Sequence, residues 1–316
     1  VETVHTLVPS ARRHQTTLFA PHRAAIHFNP FRQGRRRHPS PALLASELIA
    51  VFKKQWSDSW GPRLEHVLRN AILAVACDQR ANLLFLYYFL TDEQLREKVV
   101  GRVNDPVVAH FWKTEFPGYS RSLQAEATAP VLNKLGAFIS NPTIRAVVGQ
   151  ERSRLDVTAH MDERRILLAD LSTGALGEDA SSLLGGLLMA SIQLAAMSRV
   201  QRERPFFLYV DEFQHFINDS VATMLAEARK FGLGLTLAHQ YLDQLTPSVR
   251  AAVLGNVGSL MLFRTGSQDA SMLEGEVHPH FNAGDLAKTG RFTAVAWLIA
   301  NGTELTPFLA RMLPPS

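Results

Sequence analysis

Five short apolar runs in the second half of the chain constrain its fold more than any other feature: RILLADLS (165–172), PFFLYVDE (205–212), LGLTLAHQ (233–240), SLMLFRTG (259–266) and FTAVAWLIA (292–300). Helical stretches fit between the first four. One of these carries a stripe of Val221, Met224, Leu225, Ala228 and Phe231, with Asp219 and Ser220 placed to cap its start and Gly232 to end it. Runs that are apolar along most of their length imply burial on both faces, as in a parallel sheet wrapped by helices. TTLFA (16–20) is a further strand candidate, so the N-terminal 40 residues are assigned to the same sheet domain. The expectation is an α/β fold with a mainly parallel sheet.

The stretch from 41 to about 150 follows a different period. Leu44, Leu48 and Phe52 recur at helical spacing, as do Leu64, Leu68 and Ile72. Thr91 with Gln94 reads as a capping box opening DEQLREKVVGRV. Asn104-Asp105-Pro106 and Asn141-Pro142 each put a capping side chain before a proline suited to a first helical turn. The predicted division is therefore 1–40 as the N-terminal part of the sheet domain, 41–155 as an inserted all-helical domain, and 156–316 as the remainder of the sheet domain.

Composition narrows the class. With 46% apolar and 20% charged residues in 316, the chain can bury a sizeable core. Its one cysteine, Cys77, forms no intrachain disulfide and leaves no partner for a thiolate metal cluster, which fits a reducing compartment. The N-terminus shows no signal-peptide core, and it begins with Val, so the chain is read as a fragment. LLGGLLMASIQLAAM (183–197) is shorter than the roughly 20 residues of a membrane span and reads as a buried helix. A net charge of +4 and a pI near 9.4 lean towards an anionic partner. Arg35, Arg36 and Arg37, with Lys53 and Lys54, are compatible with contacts to DNA, and solvated surface is the plainer reading of each.

The run at 206–212 ends in Asp211 and Glu212. In a parallel α/β sheet, ligands bind beyond the carboxyl ends of strands. An Asp there can hold Mg²⁺ through water, and an adjacent Glu can polarise the water that attacks a γ-phosphate. The next run ends in Gln240, at the same edge if the crossover is parallel, where a glutamine can orient that water. Arg229 closes the intervening helix, where a cation is favoured by the helix C-terminus and is also placed to reach a phosphate in a neighbouring subunit.

Taken together, LYVDEFQHF, LAEARKFGLGLTLAHQYLDQL and LGNVGSLMLFRTGSQDA resemble the second half of the motor domain of TraG/TraD-type conjugative coupling proteins, RecA-like ATPases of the HerA/FtsK superfamily. HFNPF, SWGPRLEHVLRNAIL and ILLADLSTGALGED are similar to the same family, so the likeness covers nearly the whole chain. The resemblance implies a RecA-like P-loop NTPase core with an inserted all-α subdomain, ATP and Mg²⁺ as cofactors, and Asp211 as the magnesium-side carboxylate. It implies Glu212 as catalytic base, Gln240 as γ-phosphate sensor, Arg229 as a trans-acting arginine finger, and Arg264 as a second phosphate or interface contact. Arg264 paired with Asp269 is the plainer alternative. Implied partners are DNA, other subunits of a homo-oligomeric, hexameric ring, and type IV secretion or relaxosome proteins. The implied location is the cytoplasm, with any membrane anchor outside this chain.

One departure separates the chain from that family. It contains no G-x-x-x-x-G-K-[ST], so the phosphate-cradling Walker A loop has no counterpart in it. The simplest expectation is that the chain starts after the first strand, loop and helix of the motor, with nucleotide affinity and catalysis severely reduced. Two alternatives stand beside the DNA translocase: a catalytically inactive assembly or recognition module, and a type IV secretion ATPase that moves protein. No histidine grouping has metal-ligand spacing, and no G-x-S-x-G elbow occurs.

Overall fold

The structure is a computed structural model that describes residues 1–32, 40–199, 202–217 and 224–313. Strand β1 (Thr16–Phe19) lies parallel to β2 (Ile166–Ala169), with Thr16 opposite Ile166 and Phe19 opposite Ala169. Segments far apart in sequence thus share one sheet, and the helical stretch leaves and returns between them. His160 Nε2 and Thr17 Oγ1, 2.9 Å apart, tie the two segments a second time.

Strand β3 (Phe206–Val210) runs parallel to β4 (Leu233–Leu237) in register from Phe206 opposite Leu233 to Val210 opposite Leu237. The remaining strands correct the expectation of a mainly parallel sheet. Strand β5 (Leu260–Leu262), β6 (Thr293–Trp297) and β9 (Phe308–Arg311) form an antiparallel sheet in the order β5-β6-β9. β7 (Ile299–Ala300) and β8 (Thr303–Glu304) make a small antiparallel ribbon between β6 and β9. The apolar run TAVAW signalled burial correctly, since Ala294, Val295 and Ala296 are fully buried, but burial on both faces does not fix strand direction. The run 292–300 is also not one strand: the ladder breaks at Leu298.

Between Pro41 and Val148 the described residues form helices and no strand. The principal ones are α1 (Pro41–Gln55), α2 (Pro62–Ala76), α3 (Leu83–Thr91), α4 (Glu93–Val100), α5 (Arg121–Ser140) and α6 (Pro142–Val148). Their starts follow the sequence signals, because a short polar side chain satisfies amides that the helix leaves unpaired. Asp105 accepts from the amides of Val107 and Val108, and Asn141 from Thr143 and Ile144. The cap of α4 is a correction. Asp92, not Thr91, accepts from Leu95 N, while the Thr91 hydroxyl bonds back to Tyr87 O inside α3. The block has its own aromatic core, with Trp112 in edge contact with Phe89 and Phe111 at 4.9 Å and its indole N–H donated to Asn70 O at 3.1 Å.

Helix α7 (Glu178–Ser198) joins the two parts. It is long and apolar enough to cross a membrane, yet it is packed inside the protein on most of its surface. Each fully buried leucine there contributes roughly 1.5–3 kcal/mol. α7 lies against α1, with Gln193 Nε2 donating to Glu47 Oε1 at 3.1 Å in a buried contact, and Gly186 letting Val51 approach. Helices α8 (Pro247–Asn256) and α9 (Ser267–Val277) follow β4 and β5; Thr246 caps α8 by accepting from Val249 N. Residues 224–227 are helical and tighten into a 3₁₀ turn, Ala228–Phe231, that Gly232 ends at φ +65°. The caps Asp219 and Ser220, with Val221, lie outside the described residues, as do Arg35, Arg36 and Arg37.

Candidate functional site at the ends of β3 and β4

The parallel pairing of β3 and β4 brings Glu212 and Gln240 together. The ladder continues past the strands, Ala238 N bonding to Val210 O at 2.9 Å and Phe213 N to Ala238 O at 3.1 Å. Glu212 itself is left-handed, at φ 51° and ψ 43°, a conformation that costs a non-glycine residue about 1–2 kcal/mol. That kink ends β3 and opens a short 3₁₀ turn, Phe213–His215. Strain of this kind collects where surrounding contacts over-determine a side chain.

The contacts here do so. Gln240 Nε2 donates to Glu212 Oε1, and Gln214 Nε2 donates to Glu212 Oε2 at 2.6 Å. Each carboxylate oxygen therefore has its own amide donor. Hydrogen bonding from Gln214 first, and from Gln240 second, lowers the Glu212 pKa, so the group is an anion at neutral pH. Asp211 is exposed, and its Oδ1 accepts the Glu212 amide at 3.1 Å. His239 stacks edge-on against the buried Phe213 ring at 4.9 Å, and desolvation lowers its pKa and favours the neutral imidazole. Gln214 Oε1 and His239 Nδ1 are buried with no hydrogen-bond partner among the described residues. Two buried polar atoms on the residues flanking this carboxylate's contacts are thus left without a partner, which is uncommon in a folded interior.

The turn is gripped from below by α7. Ser182 Oγ donates to His215 O at 2.9 Å, and the Phe216 ring lies over Gly185 so closely that a Cβ there would fall 2.0 Å from a ring carbon. Gly185→Ala should therefore displace Phe216 and lower stability by about 2 kcal/mol or more, as overpacking does. Chemical denaturation checks this, and a change below about 0.5 kcal/mol would show that the ring moves freely.

The other candidates stand apart. Arg229 is exposed on the turn that precedes β4, whereas Gln240 follows that strand. The five residues of β4 separate them by about 16 Å of strand. Arg264, just past β5, is exposed, and Asp269 does not pair with it; that carboxylate accepts the Leu242 amide at 3.2 Å instead. Lys53 is exposed and borders an open groove with Trp60, His66 and Arg69. Lys54, grouped with it as a DNA candidate, turns inward and donates to Gln214 O at 2.7 Å. Sequence reasoning missed Gln214 altogether. Its spacing two residues after Glu212 carries no signal until the left-handed kink folds it back. Among the described residues no cluster of three metal-binding side chains occurs.

No protein-family model matches this chain, and no curated protein is similar to it in sequence. Solved structures do match its shape. The plasmid coupling protein TrwB in complex with ADP and Mg²⁺ superposes with a TM-score of 0.67 at 14% identity, over 96% of this chain and 75% of that one. TrwB with the non-hydrolysable ATP analogue ADPNP gives 0.65 at 12% identity, over 96% and 75%. VirB4 of Thermoanaerobacter pseudethanolicus gives 0.58 at 13% identity, over 96% and 78%. At these identities the likeness is one of architecture: the chain has the α/β fold of the TrwB coupling protein and of VirB4.

Proposed function

We propose that this chain is the larger part of a nucleotide-driven motor of the type IV secretion kind, one that moves DNA and works as a ring of like subunits. One observation carries the reading: the strand-terminal Glu212 carboxylate accepts from Gln214 in its own turn and from Gln240 at the end of the adjacent parallel strand, and both bonds favour its anion. A fixed carboxylate beside an amide at the carboxyl edge of a sheet is suited to orienting a water molecule. In this reading Glu212 is the catalytic base, an ionised carboxylate that polarises and aims the attacking water. In this reading Gln240 orients the same water and senses the γ-phosphate.

The residues present fit magnesium-bound ATP in part. Asp211 offers one exposed carboxylate, the kind of single protein contact that Mg²⁺ takes alongside water and substrate phosphates. The metal would supply neutralisation of phosphate charge. No residue of this sequence supplies the phosphate-cradling loop, and that same gap favours the second reading, an assembly module that keeps the fold without turnover. Arg229, at the opposite edge of β4, is assigned to a neighbouring subunit's nucleotide, and Arg264 to a subunit contact.

The helical block at 41–155 is read as the inserted cargo-facing domain, and Lys53 with His66 and Arg69 as contacts to a DNA backbone. Such contacts are sequence-independent and release counterions. Fluorescence anisotropy with random-sequence DNA should show affinity falling at least about tenfold between roughly 50 and 200 mM salt. Affinity unchanged across that range would overturn the DNA reading and leave protein as the cargo. Type IV secretion components are the expected partners, at the cytoplasmic face of the membrane.

A further inference from the structure

Lys54 and the candidate site are joined by a line of hydrogen bonds that crosses from the helical block into the sheet domain. Lys54, on the last turn of α1, donates from Nζ to Gln214 O at 2.7 Å. The Gln214 side chain then donates to Glu212 Oε2 at 2.6 Å. Lys54 belongs to the block that packs on α7, and Gln214 belongs to the turn that begins with the kink at Glu212.

The lysine is a costly way to make this contact. Burial alone moves its pKa down to about 8, and no carboxylate pairs with it among the described residues. Lys54 is half-buried, and an ammonium held by one carbonyl there loses hydration that a single hydrogen bond only partly restores. An apolar side chain would fill the same space at less cost. What the ammonium adds is direction, because it fixes the main-chain carbonyl of Gln214, and with it the backbone position from which the Gln214 side chain reaches Glu212. α7 holds the same turn through Ser182 and Gly185, so two helices that pack on each other both grip it.

We propose that Lys54 is a positioning residue, which ties the Phe213–His215 turn to α1 so that any shift of the helical block is felt at the Glu212 carboxylate. This rests on reading Glu212 as the water-orienting group. Occupancy of the helical block by cargo would then alter turnover without any cargo contact at the nucleotide. The tie itself is structural and is testable apart from catalysis.

The test compares Lys54→Met, Lys54→Arg and, as a control for lost surface charge, Lys134→Met. Hydrogen exchange is read at the amides of Phe216 and Ile217, both of which bond to Phe213 O. Lys54→Met should speed exchange at these amides at least tenfold, with α7 amides unchanged. Lys54→Arg should restore exchange to within twofold, and Lys134→Met should match the wild type. Magnesium-dependent ATP turnover by the protein from its full reading frame should fall at least tenfold in kcat for Lys54→Met, with KM within twofold. Unchanged exchange at Phe216 and Ile217 would overturn the tie, whatever happens to turnover. Equal acceleration across α1 and α7 would overturn it as well, by showing a general loosening. Faster exchange with kcat unchanged would leave the tie standing and overturn Glu212 as the group it serves. If Lys54→Met does not fold, Gln214→Met takes its place. That variant retains the backbone carbonyl for Lys54 and cuts the line to Glu212, so kcat must fall with exchange unchanged, and an unchanged kcat would overturn the proposal.

Discussion

Glu212→Gln is expected to reduce ATP turnover by about a hundredfold to ten-thousandfold, the range spanned by loss of a positioned acid or base, while nucleotide binding stays within a few-fold. The two substituents have the same shape, so the fold of the strand end is kept. The hydrogen bonding is not. In the native site both oxygens accept, one from Gln240 and one from Gln214. A glutamine offers one acceptor and one donor, so one of these two amides must rotate or lose its partner. The negative charge is lost at the same time. Kinetics at saturating nucleotide read kcat, and calorimetric titration reads binding. A loss in binding as large as the loss in kcat would move Glu212 from water to nucleotide contact.

Arg199→Ala is expected to lower the free energy of unfolding by about 3–5 kcal/mol, a large share of the roughly 5–15 kcal/mol typical of a folded domain. The Arg199 side chain is fully buried. It donates from Nε to Asp162 Oδ1 at 3.3 Å, from one terminal nitrogen to Phe231 O and Gly232 O at 3.4 and 3.3 Å, and from the other to Arg204 O. One guanidinium thus holds the end of α7, the entry to β3 and the turn before β4. Removing it strands the buried Phe231 carbonyl, at about 1–3 kcal/mol when unsatisfied, and frees the half-buried contacts to Gly232 O, Arg204 O and Asp162. Gly232 meets the same junction, since a Cβ there would fall 2.3 Å from Arg202 O at a backbone angle that already favours glycine. Lysine should not rescue Arg199, because a point charge cannot reach the several acceptors of a planar fork. Urea denaturation measures the loss, and a value under about 1 kcal/mol would show that water replaces the guanidinium.

The strands and the helical block were legible because their signals are local. Apolar runs, caps such as Asp105 and Asn141, and the stripe ending at Gly232 each depend on a few neighbouring residues. The pairing of Glu212 with Gln240 was legible for a different reason: two runs separated by one helix are adjacent and parallel as a rule. Strand direction beyond β4 was not legible, because the buried β6 run is apolar whichever way its neighbours point. Nor were Gln214 and the inward turn of Lys54. Both depend on a left-handed residue at Glu212 and on contacts between positions 160 residues apart, which no window of sequence contains. The cap at Asp92 was missed by one residue, since Thr91 and Asp92 carry the same capping chemistry and only the end of α3 decides between them.

In the proposed motor, Glu212 and Gln240 act as one unit on one water molecule. A double-mutant cycle in ATP turnover probes that unity, using the protein from its full reading frame with Glu212→Gln, Gln240→Ala and both together. The wild type should turn over with magnesium, and the double variant should be scarcely slower than Glu212→Gln alone, because the second change removes a group already without a task. Rate losses that simply multiply would show two independent residues, and a wild type with no magnesium-dependent turnover at all would show that the carboxylate orients no attacking water.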